Sequence, residues 1–178
     1  MQNRDMSKLV LGTVADVVTV PEGLETAFEV ALGSSLQNLI TAGEKDAKTL
    51  IAWLKKVQGG RVTILPLDSM GGIEFSKDKT CLLTRSGVLG TALELLTFSQ
   101  EYRPALASLL GRVVITEDLD TALALKRDLR QFSRIVTRDG SVVFPSGALT
   151  GGSLNSRTSG LLARKGELVR LEAEALIM

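Results

Sequence analysis

The sequence predicts a mixed α/β (α+β) fold of two related halves of alternating helices and short strands, followed by a charged, leucine-spaced helix. Three observations carry this. Helix-period and strand-like segments alternate along the chain, the pattern of an α/β body. Short segments recur in the same order: Ala31–Gly33 (ALG) matches Leu109–Gly111 (LLG), Leu39–Thr41 (LIT) matches Val114–Thr116 (VIT), and Gly60–Ile64 (GRVTI) matches Ser133–Thr137 (SRIVT). A degenerate repeat can also arise from ordinary helix–strand alternation, and either origin gives an α/β body. Finally, Asp139–Ser153 (DGSVVFPSGALTGGS) sets Gly140, Gly147, Gly151 and Gly152 among β-prone runs, a pattern that fits backbone brought close to another backbone.

Taken in order, Met1–Lys8 is a polar lead-in, either the end of a second helix or a frayed terminus. Val10–Val20 is β-branched around Gly12 and interrupted by Pro21, so it reads as a strand or a strand and turn. Glu22–Leu32 has helical spacing at Leu24, Ala27, Phe28, Ala31 and Leu32, with Gly33 as the stop. Leu36–Thr41 reads as a strand. Ala47–Val57 is a helix with Ala47, Leu50, Ile51 and Leu54 on one face, ended by Gly59-Gly60, and Arg61–Leu65 is a strand stopped by Pro66. Asp68–Arg85 reads as a connector with a short strand at Thr80–Thr84, and Ser86–Leu96 as the helical opening of the second half. Helix Ala105–Leu110, strand Arg112–Thr116, helix Ala122–Gln131, strand Arg134–Arg138 and strand character at Val142–Phe144 complete it. The expected organisation is a lead-in over 1–9, a first half with its connector over 10–85, a second half over 86–153, and an outgoing helix over 154–178.

At 44% hydrophobic and 23% charged residues, the chain can bury a sizeable core. A formal net charge of +1 creates no global field, so any nucleic-acid contact must come from a local patch. The single cysteine, Cys81, excludes an internal disulfide framework and fits a reducing, cytoplasmic compartment. With no histidine, the commonest metal ligand and general base is missing. No apolar run reaches the length of a bilayer span, and MQNRDMSKLV has no signal-peptide block.

The glycine clusters at Gly87–Gly90 and Gly147–Gly152 match neither GxxxxGK[ST] nor GxGxxG and read as turns. Glu117 with Asp118, or Asp118 with Asp120, has the composition of an acid–base or magnesium pair, but their place before a helix makes them complements of its dipole first. Cys81 has no histidine to activate it. The expectation is therefore no catalytic residue, no metal and no cofactor. Two basic groups are candidate phosphate contacts: Lys126, Arg127 and Arg130, continued by Arg134 and Arg138, and Arg157, Arg164 and Lys165. A solvated face is the alternative for each. In the last helix Leu161, Leu168 and Ala175 are spaced by seven, as are Leu171 and Met178, and the two series are offset by three, as a and d positions are. An amphipathic helix packed on the body is the rival. The lack of a cap at Met178 favours a coiled coil that continues.

Five segments carry a family resemblance: GTVADVVTV (Gly12–Val20), AFEVALGSSLQNLIT (Ala27–Thr41), GRVTILPL (Gly60–Leu67), LLGRVVITEDLDTAL (Leu109–Leu123) and VTRDGSVVFPSGALTGGS (Val136–Ser153). With them the chain resembles the hinge domain of structural maintenance of chromosomes (SMC) proteins, of the bacterial kind. The resemblance implies a non-enzymatic homodimerisation module, inserted between the ends of an antiparallel coiled coil and joining two arms in a closed ring. The ATP-binding heads, kleisin and accessory subunits would lie elsewhere in a cytoplasmic, nucleoid-associated protein. It also places the dimer interface at Gly140, Gly147, Gly151 and Gly152, with edge strands of one half pairing with the other half of the partner. DNA contacts, where the family makes them, fall after the GGS; here that segment is LNSRTSGLLARK, with Arg157, Arg164 and Lys165 but no lysine run. A primarily DNA-binding surface, with dimerisation as scaffold, is the alternative.

Overall fold

A computed structural model describes residues 5–76, 80–153 and 160–177. A single turn at Met6–Leu9 leads into strand β1 (Val10–Thr13). Thr13 then ends the strand and starts the one-turn helix α1 (Val14–Val17): its Oγ1 accepts from the Asp16 N–H at 3.3 Å, while the Asp16 carboxylate accepts from the Thr13 N–H at 2.9 Å. This reciprocal cap satisfies two backbone donors that a helix start would otherwise strand. Helix α2 (Glu25–Leu32), a 3-10 segment (Gly33–Gln37), strand β2 (Leu39–Thr41), helix α3 (Glu44–Lys56) and strand β3 (Ile64–Pro66) complete the first half.

Beyond a one-turn helix α4 (Thr80–Leu83), the second half repeats the plan. Strand β4 (Val88–Thr91) passes to the one-turn helix α5 (Ala92–Leu95) through Thr91, whose Oγ1 accepts from the Glu94 N–H at 3.2 Å. Then come helix α6 (Arg103–Leu110), strand β5 (Val113–Thr116), helix α7 (Leu119–Asp128), strand β6 (Arg134–Thr137), and strands β7 (Val142–Val143) and β8 (Leu149–Thr150). Helix α8 (Leu161–Ile177) follows.

Among the described residues the strands form a three-stranded sheet, β1-β2-β3, and a five-stranded sheet, β4-β5-β6-β7-β8. In each, the first strand is antiparallel to the second and the second is parallel to the third. The bulges match too, between Val10 and Gly12 in one sheet and between Val88 and Gly90 in the other. The duplication is therefore real at the level of register. The halves meet at equivalent points: Thr19 N–H donates to Thr97 O at 2.8 Å and Thr97 N–H to Thr19 O at 3.0 Å. One core runs through both, with Val14, Phe28 and Ile40 from the first half and Leu106, Leu110 and Ile115 from the second all fully buried. A second cluster lies under α7, around Val114, Leu125, Leu129 and Ile135.

Four expectations need correction. Thr80–Leu83 is helical rather than a strand, and Ser86–Leu96 opens with a strand before one helical turn. Leu36–Thr41 is strand only from Leu39, and Arg61–Leu65 only from Ile64, with Pro66 inside β3, whereas Val10–Val20 follows its strand-and-turn reading, the capping Thr13 turning the chain. Because the same threonine cap operates twice, Thr13→Ala and Thr91→Ala are each expected to cost about 1 kcal/mol, read as a lowered midpoint in urea unfolding with an unchanged slope.

Candidate interaction site: open sheet edges and a docked helix

The glycine-rich stretch forms two successive hairpin turns. Between β6 and β7, the Gly140 N–H donates to Thr137 O and the Thr137 N–H to Ser141 O, both at 2.9 Å. Between β7 and β8, the Gly147 N–H donates to Phe144 O and the Phe144 N–H to Ala148 O, both at 3.0 Å. Each is a three-residue loop closed by a residue that must take positive φ: Gly140 has φ +92° and Gly147 +97°. Pro145 presets the second turn at its first central position. In the first turn the Thr137 hydroxyl and the Ser141 N–H both donate to the Asp139 carboxylate, holding its pKa below the usual carboxylate value.

Gly151 and Gly152 lie outside the hairpin turns, although Gly152 shares their positive φ, at +123°. They are exposed beyond β8, the last strand of its sheet. A Cβ on Gly152 would meet nothing within 4 Å, and one on Gly151 would meet only the Ser141 side chain. The alternation of an antiparallel ladder follows from the Phe144–Ala148 bond: Thr150 faces β7, while the N–H and C=O of Leu149 and Gly151 face the open edge. The Leu149 side chain is 52% exposed.

The first sheet has a matching edge. Leu39 N–H donates to Thr63 O and Leu67 N–H to Thr41 O, both at 3.0 Å, so Thr63, Leu65 and Leu67 face β2 and the backbone of Ile64 faces outward. Apolar side chains surround this edge in sequence: Ile51, Val57 and Val62 are each more than two-fifths exposed. The opposite edges, β1 and β4, both carry bulges, which blunt a strand against further pairing.

A second feature roots α8. The Glu29 carboxylate on α2 accepts from the N–H groups of Gly160, Leu162 and Ala163 at 3.0, 3.2 and 3.4 Å, capping the start of α8. Lys165 on α8 donates to the carbonyls of Ala15, Asp16 and Val18 at 2.7, 2.8 and 2.9 Å. An ammonium has three N–H bonds, and these acceptors use all three. Burial pulls the Lys165 pKa down, with the Asp16 carboxylate pulling the other way. Leu162 lies in the shared core at 3% exposure, whereas the heptad positions Leu161, Leu168 and Leu171 are 50%, 59% and 49% exposed.

The basic candidates are thus divided among elements. Arg164 is exposed on the first turn of α8, Lys165 points into the body, and Arg157 lies outside the described residues. Arg127 and Arg130 are exposed on and just after α7, and the Lys126 ammonium lies against Gly147. Arg138 is held by Glu117 at 2.9 Å, and Asp118 caps α7 by accepting from the Thr121 N–H at 2.8 Å. Among the described residues no acidic, cysteine or histidine group is arranged to hold a metal ion, and no helix is long and apolar enough to cross a membrane. Sequence reasoning did not single out Glu29, Leu162, Leu149 or Ile64. The Pro-Ser-Gly turn at 145–147 was a legible signal for the hairpin that places Leu149; no local pattern marks Glu29.

A duplicated α/β body with two open strand edges and a helix docked on its first half is the fold of SMC hinge domains. The chain belongs to that family: residues 7–126 match the model of the SMC proteins flexible hinge domain. It is 42% identical over 163 residues, 92% of its length, to the chromosome partition protein Smc of Desulfitobacterium hafniense, of which it spans only 14%. Its fold is similar to the hinge domain of Geobacillus stearothermophilus SMC, crystallised as an asymmetric dimer (TM-score 0.84, 37% identity, 93% of this chain and 66% of that one). It is also similar to the Pyrococcus furiosus SMC hinge (TM-score 0.67, 27% identity, 89% and 82% covered).

The two kinds of glycine should separate on substitution. Gly140→Ala and Gly147→Ala are each expected to cost about 1–2 kcal/mol through the left-handed backbone, lowering the melting temperature by several degrees. Gly151→Ala, outside that region and facing only the rotatable Ser141 hydroxyl, is expected to lower the melt of the isolated fold by less than either.

Proposed function

We propose that the chain is a homodimerisation module that joins two coiled-coil arms into a closed ring. The observation that carries this is the pair of unbulged, apolar-flanked edges at β3 and β8, one on each half. An edge strand with free N–H and C=O groups is a template for a further strand. If β8 of one protomer pairs beside β3 of its partner, a two-fold axis repeats the contact and leaves neither edge open. Gly151 and Gly152 then allow the partner backbone to approach beyond the end of β8, while Gly140 and Gly147 hold the hairpins that present it. The Geobacillus hinge, crystallised as a dimer, supports self-association.

The exposed heptad positions of α8 support an outgoing arm that pairs with an incoming one, because the body takes up Leu162 and leaves the seam free. Within a longer protein the module would serve chromosome partition in the cytoplasm at the nucleoid, with ATP, kleisin and accessory subunits engaged at distant heads. DNA contact is the secondary role. It would fall to Arg157, Arg164, Arg127, Arg130 and Lys126 more than to Lys165, whose ammonium is engaged by three carbonyls.

Leu149→Pro removes an N–H that faces the open edge and spares the bonds to β7. With one hydrogen bond lost at each of two seams, it is expected to weaken the dimer by about 2 kcal/mol, roughly 30-fold in Kd, in sedimentation equilibrium. A dimer of unchanged affinity would remove β8 from the interface.

A further inference from the structure

Helix α8 follows the second half in sequence but is fastened to the first. Glu29 of α2 reaches 131 residues along the chain to the Gly160 N–H, and Lys165 reaches back 150 residues to Ala15 O. The two contacts are complementary in sign and sense. A carboxylate meets the first N–H groups of α8, the positive end of its dipole, and an ammonium meets the carbonyls at the end of α1, the negative end of that turn. Each end would otherwise leave backbone groups without partners beside the buried Leu162.

One contact would leave α8 free to swivel about it. Two contacts on different elements, α2 and α1, with Leu162 between them, fix both the position and the direction of the helix. We propose that Glu29 and Lys165 form a two-point clasp that makes the arm and the first half a single rigid lever. The word arm rests on the coiled-coil reading of α8 given above; the clasp itself does not depend on dimerisation. Its consequence for the ring is specific. In the proposed dimer the partner's β8 grips this chain's β3, which belongs to the same half as the clasp. A change at that seam would therefore be passed directly to the arm's direction, and a change in the arm's direction to that seam. Glu29 and Lys165 are positioning residues in this scheme, and neither needs to touch DNA or the partner.

Two measurements on this chain test the clasp. The first is amide hydrogen exchange. Leu162 and Ala163 have first-turn N–H groups that Glu29 holds, and Lys165 touches neither. If the contacts form one clasp, Lys165→Met is expected to speed exchange at these two amides by about tenfold, and Arg164→Met, at the exposed neighbour, to leave it unchanged. Glu29→Gln, which keeps an acceptor oxygen, is expected to retain more protection than Glu29→Ala. Unchanged exchange in Lys165→Met would show two independent contacts and overturn the proposal.

The second is the distribution of distances between spin labels at Lys48→Cys on α3 and Glu172→Cys on α8, with Cys81→Ser to remove the native thiol. A narrow distribution is expected in the otherwise wild-type chain, broadening in Glu29→Ala and in Lys165→Met. A broad distribution in the wild-type background would overturn the proposal even if the clasp variants failed to fold. A narrow distribution in a chain that remains monomeric would separate the clasp from the dimer, supporting the first and contradicting the second.

Discussion

Backbone N–H and C=O groups at the edge of a sheet need partners, and the way this chain meets that constraint organises the rest of it. Two small sheets give four edges. Two of these, β1 and β4, are spoiled by bulges at equivalent positions and run straight into capped helical turns. The other two, β3 and β8, end their sheets without a bulge and are flanked by exposed apolar side chains. The asymmetry is the product of one duplicated plan plus an added hairpin. The first half stops at its third strand, where Pro66 ends the edge, whereas the second half continues through β7 and β8.

That addition also explains the glycines. A chain that must reverse twice within a few residues needs positive φ at Gly140 and Gly147, and these positions are set by the hairpins whatever lies outside. A Cβ on Gly152 would stand in open space, and one on Gly151 would meet only the Ser141 side chain, with its Oγ at 3.1 Å. Space left open at an exposed edge is what strand pairing with a second backbone requires. The energetics agree with this division, because the core is already closed without a partner: it runs through both halves, and every buried side-chain nitrogen or oxygen among the described residues has a hydrogen-bond partner.

Much of this could be read from the sequence, for identifiable reasons. Helices α3 and α7 and strands β5 and β6 carry strong periodicity or β-branched runs, and the order of elements repeats. The tetrapeptide VLGT occurs at both Val10–Thr13 and Val88–Thr91. Its second copy read as helix because the following Ala-Leu-Glu-Leu has helical spacing, while the capping role of Thr91 sets the boundary in the structure. Thr80–Thr84 read as a strand from its composition, but Thr80–Leu83 is a helical turn whose Leu82 and Leu83 pack on the second core cluster. The clasp was illegible for a different reason. Glu29 and Lys165 look like any solvated charges on their own helices, and only the fold brings each to backbone groups far away in sequence. Lys165 counted as a phosphate contact in sequence terms, yet its ammonium is spent on three carbonyls.

The most direct test of the paired-edge account is hydrogen exchange of the backbone amides of Ile64, Leu149 and Gly151 across a range of protein concentrations. The account predicts that protection at all three rises together with concentration, in step with dimer formation followed by sedimentation, while the amide of Thr150, bonded to β7, stays protected throughout. Free exchange at Ile64, Leu149 and Gly151 in a fully formed dimer would contradict it and place the interface elsewhere on the molecule.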